Sequence, residues 1–307
     1  MSETTLRIGT RGSPLALFQA NLVRDLLAAA HPDAPAPEIV VIRTTGDAVT
    51  DRPLAEVGGK GLFTKEIDRA QIDGDIDIAV HSAKDMETWL ADGIVIAAAL
   101  EREDPRDALI GAASIAEIPE GARVGTASLR RRAQLLAVRP DIEPVLIRGN
   151  VETRLRKIVD GEADATFLAY AGLRRLGRAA AADAILAVDE MLPAAGQGII
   201  AVTSRAGDAE TAAALAAISD PVAMTCLCAE RAMLDALDGT CHTPLAGLAT
   251  VEGNRLHLCG LAAWPDGQGL VRLERSGPVS DPEALGAALG TELRARMGPD
   301  FFETLDG

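Results

Sequence analysis

Residues 7–27 read RIGTRGSPLALFQANLVRDLL, and residues 123–138 read RVGTASLRRRAQLLAV. Each stretch opens on a short strand pattern, turns at Gly-Thr and enters a helix behind a serine. Ser13 followed by Pro14 is a strong helix start, because the serine oxygen accepts a free backbone N–H while proline has none to satisfy. A second pair lies downstream of these. Residues 65–85, KEIDRAQIDGDIDIAVHSAKD, match residues 153–173, TRLRKIVDGEADATFLAYAGL, with Asp73-Gly74 over Asp160-Gly161 and Asp77 over Asp164. In both, a helix stops at Asp-Gly and an apolar run follows, as expected for a strand buried in a parallel sheet. Chance repetition of α/β grammar is a poor account of two matched pairs in the same order, so two α/β lobes of one plan are predicted.

In such sheets ligands collect beyond the carboxyl ends of the strands, where loops enter helix N-termini whose free N–H groups favour anions. Both Gly-Thr turns lie at those ends, and two facing lobes would enclose a cleft for a small anionic ligand. Residues 121–178 carry 12 Lys and Arg against 6 Asp and Glu, in a chain whose net charge is −15. An arginine excess inside an acidic protein suits a carboxylate-rich or phosphate-rich substrate, since the guanidinium fork binds such groups through paired hydrogen bonds. The candidates are Arg130, Arg131 and Arg132 at a helix start, Arg148, Arg154, and Arg174 with Arg175. Roughly half of any such set is expected to be ordinary solvated helix residues.

The same acidity argues against non-specific binding to nucleic acid or to anionic membranes, because like charges repel at long range. Aromatic residues make up only 3% of the chain, too few for base-stacking platforms. With 307 residues and 48% hydrophobic content the chain can fill two or three ordinary domains. No apolar run approaches the ~18 residues of a membrane span. The opening MSETTLRIGT is polar and unlike a secretory signal, so a cytoplasmic protein is expected.

From about Pro221 the pattern changes. A helical run, VAMTCLCAERAMLDAL, leads into DGTCHTP at residues 238–244, then into three strand-like runs and a last helix. The expected division is a first lobe of residues 1–101 plus about 197–219, a second lobe of 102–196, and an α+β domain of 220–307. Cysteines stand at 226, 228, 241 and 259. Their spacing is poor for zinc, so no metal site is expected, and disulfides are improbable in the cytoplasm. Cys226, Cys228 and Cys259 sit in helical or apolar patterns and read as buried, inert thiols. Cys241 stands instead on a turn-prone loop between a helix and a strand, where exposure is expected; nucleophile, ligand and bystander are all open readings of it.

Three further stretches bear on chemistry. HSAKDM ends the buried run DIDIAV and sets Asp85, with Lys84 and Ser82, at the mouth of the expected cleft. There a carboxylate can stabilise a cation or exchange protons, although the same residue could simply cap a following short helix. EVGGKGLFTKE, residues 56–66, has three glycines around Lys60 but fails the phosphate-loop pattern, and reads as a flap or an ordinary surface loop. LPAAGQGII, residues 192–200, reads as a crossing back to the first lobe, with Gln197 facing the cleft or lying in a plain hinge.

HSAKD, VGGKGLF, EREDPRDAL, VGTASLRRRAQL, IRGNVETRL, AGLRRLG, LPAAGQG and DGTCHTP, in this order, resemble the porphobilinogen deaminase family, also called the hydroxymethylbilane synthases, over nearly the whole chain. The resemblance implies an α/β fold with two similar lobes of the type II periplasmic-binding-protein kind, a cleft, and a small C-terminal α+β domain. It implies a transferase of tetrapyrrole and haem biosynthesis that joins four porphobilinogen molecules head to tail, loses ammonia at each addition and releases linear 1-hydroxymethylbilane. It also implies a dipyrromethane cofactor joined by a thioether to the cysteine matching Cys241, and a catalytic carboxylate matching Asp85. The residues it implies for holding cofactor and substrate are Arg11, Ser13, Gln19, Lys60, Phe63, Ser82, Lys84, Thr126, Ser128, Arg130, Arg131, Arg148, Asn150, Arg154, Arg175, Gln197 and Gly198. A monomer that passes its product to the next enzyme of the pathway is implied too. The chain departs from the family pattern at Thr240 and His242 around the cysteine, at Ala83, Met86 and Glu87 around the Lys-Asp pair, and at Ala127. These positions bear on fine hydrogen bonding and leave the thiol and the carboxylate in place.

A bilobed binding protein or ligand-sensing regulator would share the two-lobe plan. It predicts an export signal or a DNA-binding helix pair, which the sequence does not display, and it gives a loop thiol no task. A zinc enzyme fits the scattered cysteines less well still.

Overall fold

The computed structural model describes residues 5–48, 64–238, 243–299 and 301. Strands β1 (Arg7–Thr10), β2 (Glu38–Val41), β3 (Ile78–Ser82) and β4 (Ile94–Ala99) come first along the chain. Strands β5 (Asp107–Ile110), β6 (Arg123–Gly125), β7 (Glu143–Val145), β8 (Ala165–Ala169) and β9 (Ala184–Ile185) follow, and β10 (Ile200–Arg205) comes directly after the LPAAGQG stretch. The last three are β11 (Leu245–Glu252), β12 (Arg255–Ala263) and β13 (Leu270–Pro278).

Two of the sheets repeat one topology. Their orders are β2-β1-β3-β10-β4 and β7-β6-β8-β5-β9. In each, the first three strands run parallel and the fourth runs antiparallel to both of its neighbours. Thus β6 to β9 overlay on β1 to β4, and β5 overlays on β10. The antiparallel β10 is reached only after the chain has built the second sheet, whereas the antiparallel β5 opens its own sheet directly after β4.

The repeated sequence features serve equivalent roles in the two sheets. Ser13 caps the helix Pro14–Ala30 by accepting from Ala16 N, and Ser128 caps Leu129–Val138 by accepting from Arg131 N. The helices Lys65–Ile72 and Val151–Val159 both end at the paired Asp-Gly, where Gly74 (φ +81°) and Gly161 (φ +74°) take the left-handed turn that side chains disfavour. Asp77 accepts from the backbone N–H of Arg7 at 2.9 Å and pairs with its guanidinium, and Asp164 does the same for Arg123 at 2.7 Å. An aspartate ahead of one strand thereby fixes the start of its parallel neighbour. The cores are mainly aliphatic, as the low aromatic content requires: Ile8, Val23, Leu27, Ile78 and Val202 in the first lobe, and Leu109, Val124 and Leu135 around the ring of Phe167 in the second.

The chain divides into two compact units, residues 1–103 with 199–224, and residues 104–198 with 225–307. The segments read from sequence as a second lobe and a separate C-terminal domain therefore fall in one unit. Shared packing is the reason. Ala133 and Leu192 join Ala246, Leu248, Leu261 and Ala263 of the antiparallel sheet β11-β12-β13 in one buried cluster. Glu230, fully buried, accepts from Gly196 N at 2.6 Å and from Ala249 N at 2.7 Å, tying the AAGQG loop to β11. The helix Pro282–Met297 covers the other side of this sheet through Leu285, Leu289 and Leu293.

Candidate active site

The first unit gathers five of the sequence-predicted residues in one pocket. Because β1 and β3 are parallel neighbours, the loops leaving their carboxyl ends emerge side by side. One brings Arg11, Ser13 and, one turn into its helix, Gln19; the other brings Ser82 and Asp85, and His81 and Thr64 complete the wall. Gln19 is buried and its Nε2 donates to Ser82 Oγ at 2.8 Å, which fixes the hydroxyl at the strand end. Lys84 and Asp85 occupy a single 3-10 turn, Ala83–Asp85, and Asp85 is exposed. Residues 86–93 form no helix, so the alternative in which Asp85 caps a following helix is excluded. Its carboxylate stands at the rim of a pocket that also holds a guanidinium, where it can accept a proton or face a developing positive charge.

The second unit assembles the arginines at the corresponding edge. Thr126 and Ser128 follow β6, Arg148 and Asn150 follow β7, and Arg175 follows β8. Asn150 caps the helix Val151–Val159 by accepting from Thr153 N at 2.9 Å, and Arg154 Nε donates to Gly149 O at 2.8 Å. Thr126 Oγ1 accepts from Ser128 N at 3.1 Å. Arg175 donates to Gly198 O at 2.7 Å, which holds the Gln197-Gly198 turn at this edge.

Asp107, to which sequence patterns assign no role, is the hub of this cluster. It opens β5, and the antiparallel pairing of Asp107 with Ala169 sets it at the carboxyl end of β8. It is fully buried; Arg131 donates to its Oδ1 at 2.7 Å, Gln197 Nε2 donates to the same oxygen at 2.9 Å, and Arg130 Nη2 lies 2.8 Å from Oδ2 in an ion pair outside hydrogen-bond alignment. Arg130 also donates to Leu192 O and Arg131 to Phe167 O. Burial pushes the Asp107 carboxyl up, but the two guanidinium charges and these hydrogen bonds outweigh it and hold the group well below the usual carboxylate range. Two buried guanidinia share one carboxylate, so the cluster keeps one net positive charge, and among the described residues Nε of both Arg130 and Arg131 is buried without a hydrogen-bond partner. Unpaired buried donors of this kind are costly, and an acidic ligand would satisfy them.

Sequence reasoning also misses His81. The signal is present in both cases: His81 sits in HSAKD and Asp107 in EREDPRDAL, polar residues inside otherwise apolar strand runs. Lys60, Phe63, Cys241 and its neighbours Thr240 and His242, and most of the EVGGKGLFTKE stretch, lie outside the described residues. Of the other thiols, Cys226 is buried, and burial, reinforced by Glu283, pushes Cys228 up to about 11. Burial also raises Cys259, whose sulfur accepts from Arg272 Nε at 3.2 Å. All three are poor nucleophiles at neutral pH.

A family model described as porphobilinogen deaminase, dipyromethane cofactor binding domain, matches residues 6–213, and one described as porphobilinogen deaminase, C-terminal domain, matches residues 224–295. A porphobilinogen deaminase of Paracoccus denitrificans is 56% identical over 304 residues, covering 98% of this chain and 97% of the relative. One of Nitrobacter hamburgensis is 54% identical over 303 residues, covering 98% and 96%. Among solved structures, a marine-metagenome TRAP solute binding protein specific for pyroglutamate aligns over 98% of this chain and 96% of its own at 14% identity and a TM-score of 0.41, too loosely to bear on the site. With both family models matched in tandem and identity above one half along the whole length, the chain belongs to the porphobilinogen deaminase family.

Proposed function

We propose that the chain is a hydroxymethylbilane synthase, which condenses four porphobilinogen molecules head to tail with loss of ammonia and releases linear 1-hydroxymethylbilane, using a dipyrromethane primer held through a thioether to Cys241. Full-length membership of the porphobilinogen deaminase family carries this reading, and the site's chemistry agrees with it. The first matched domain is the one that binds dipyrromethane in the family. A pyrrole chain bearing an acetate and a propionate on every ring needs cationic partners, and the net positive charge and orphaned Nε donors of Arg130 and Arg131 meet that need. Arg148, Arg154, Arg175 and Lys84 extend the same role along the growing chain, with Arg11 serving the pocket of the first unit.

Dipyrromethane, when bound, supplies the free pyrrole α-carbon to which the first unit is joined. Arg11, with Ser13, Gln19 and Ser82, orients the incoming porphobilinogen by its polar groups. Loss of ammonia from its aminomethyl carbon leaves a positive charge delocalised over the pyrrole, and the Asp85 carboxylate faces that charge. The same carboxylate then accepts the proton that leaves the newly substituted α-carbon. Gln197 and Gly198 steady the arginine cluster through Asp107 and Arg175. Lys60 and Phe63 join the binding set on the family pattern alone. Cys241 is the attachment point because a tether holds the acceptor in place through every addition without repeated binding costs. Composition and family pattern support, as parts of this proposal, a cytoplasmic monomer that passes its product to the next enzyme of tetrapyrrole synthesis.

Intact-mass measurement of the purified protein tests the reading. The parent is expected to weigh two pyrrole units more than its sequence, and Cys241→Ser is expected to lose that increment together with activity. An active parent at the bare sequence mass would refute the covalent primer.

A further inference from the structure

His81 is a titratable side chain of the Asp85 pocket whose chemistry the proposed reaction does not use. It ends the buried stretch of β3, pairs across to Ala201, and is 7% exposed. Among the described residues its Nε2 is buried with no hydrogen-bond partner, while the ring helps to line the wall shared by Arg11, Ser13, Gln19, Ser82 and Asp85. Buried polar atoms are paired in the great majority of cases, and an orphan at a pocket wall points to a partner that arrives with the ligand. Burial, and then the positive charge of Arg11, hold His81 down to about 4, so the ring is uncharged at neutral pH. An uncharged donor here can meet a ligand without forming an ion pair that would compete for Asp85.

Arg11 settles which end of the substrate faces this nitrogen. Its charge is felt at His81, and it repels the aminomethyl cation of porphobilinogen while attracting the ring's carboxylates. A carboxylate accepts hydrogen bonds and does not donate them, so the tautomer that fits carries the proton on Nε2. We propose that His81 is a further substrate-binding residue, whose Nε2–H donates to a carboxylate of the incoming pyrrole beside Arg11. This rests on the porphobilinogen reading of the pocket and assigns it a recognition contact.

The test compares His81→Phe, which keeps a buried ring without the donor, with His81→Gln, whose amide nitrogen can reach the place of Nε2. Steady-state kinetics with porphobilinogen are measured on cofactor-bearing protein, with cofactor content checked by intact mass. Loss of one donor to a carboxylate should raise KM roughly tenfold or more in His81→Phe, with kcat per cofactor-bearing enzyme changing less, and His81→Gln should bring KM back to within about threefold of the parent. A KM within twofold of the parent in His81→Phe, or equal rises in both variants, overturns the proposal. Should His81→Phe not fold, nitrogen NMR of the parent labelled at its imidazoles, with His81 assigned from His81→Gln, gives the answer: a proton-bearing Nε2 in the presence of porphobilinogen is required, and a bare nitrogen overturns it. A parent that consumes no porphobilinogen would instead sink the proposed function.

Discussion

Replacing Asp107 by asparagine isolates the charge on which the arginine cluster depends. The side chain is fully buried, Arg130 and Arg131 are each 5% exposed, and both guanidinia lie within 2.8 Å of its oxygens. Asparagine keeps the shape and one acceptor oxygen but leaves two buried cations facing each other with no counter-charge. Breaking a buried pair in this way costs about 3–5 kcal/mol, which for a chain of this size lowers the melting temperature by roughly 5–8 °C. Glu292→Gln is the control: its pairs with Arg275 at 2.9 Å and Arg296 at 3.6 Å join exposed side chains, and each should be worth under about 1 kcal/mol. The assay is thermal unfolding at matched cofactor content, because an acidic cofactor would compensate part of the lost charge. The folded carboxyl is held low, so its stabilisation is complete above the unfolded value of ~3.9 and disappears only as pH falls through the lower folded value. The deficit of the variant should therefore be the same at pH 5 and pH 8 and shrink in stronger acid. A melting temperature within about 2 °C of the parent would refute the account of Asp107 as the counter-charge of the cluster.

Two further outcomes are expected. Asp85→Asn should retain the mass increment yet lose turnover by roughly a hundredfold or more, since the amide can neither take a proton nor balance a cation; single-turnover kinetics within tenfold of the parent would remove its role. Under native conditions at pH 7.5, Cys226, Cys228 and Cys259 should react with iodoacetamide on the order of a hundredfold more slowly than a free thiol, because burial shields Cys226 from the reagent and suppresses the thiolates of Cys228 and Cys259, and fast labelling of Cys228 in peptide mapping would contradict that.

The duplicated lobes are legible in the amino-acid sequence because their signals are local. A serine cap, an Asp-Gly stop and an apolar run each act within a few residues, and matched copies in matched order reveal a repeated unit. Asp85 is legible as a strand-end residue for the same reason. Asp107 is not: antiparallel pairing with β8 sets it against Arg130 and Arg131, 23 and 24 positions later, and sequence spacing does not encode that pairing. Nor does spacing separate the arginines. Arg130 and Arg131 are buried beside Asp107, whereas Arg132, next in sequence, is exposed, because successive helix residues point about 100° apart.

The amino-acid sequence by itself determined the two-lobe plan, the sheet edges where ligands gather, the cationic character of the second lobe and the family to which the chain belongs. Tertiary structure alone decided that the C-terminal sheet shares a unit with the second lobe, that Asp107 binds two arginines and Gln197 into one charged cluster, and that His81 is buried in the wall of the Asp85 pocket with a nitrogen that finds no partner among the described residues. Local signals follow from backbone geometry over a few residues. Burial, ion pairing and the pairing state of a polar atom depend on which distant segments the fold brings together.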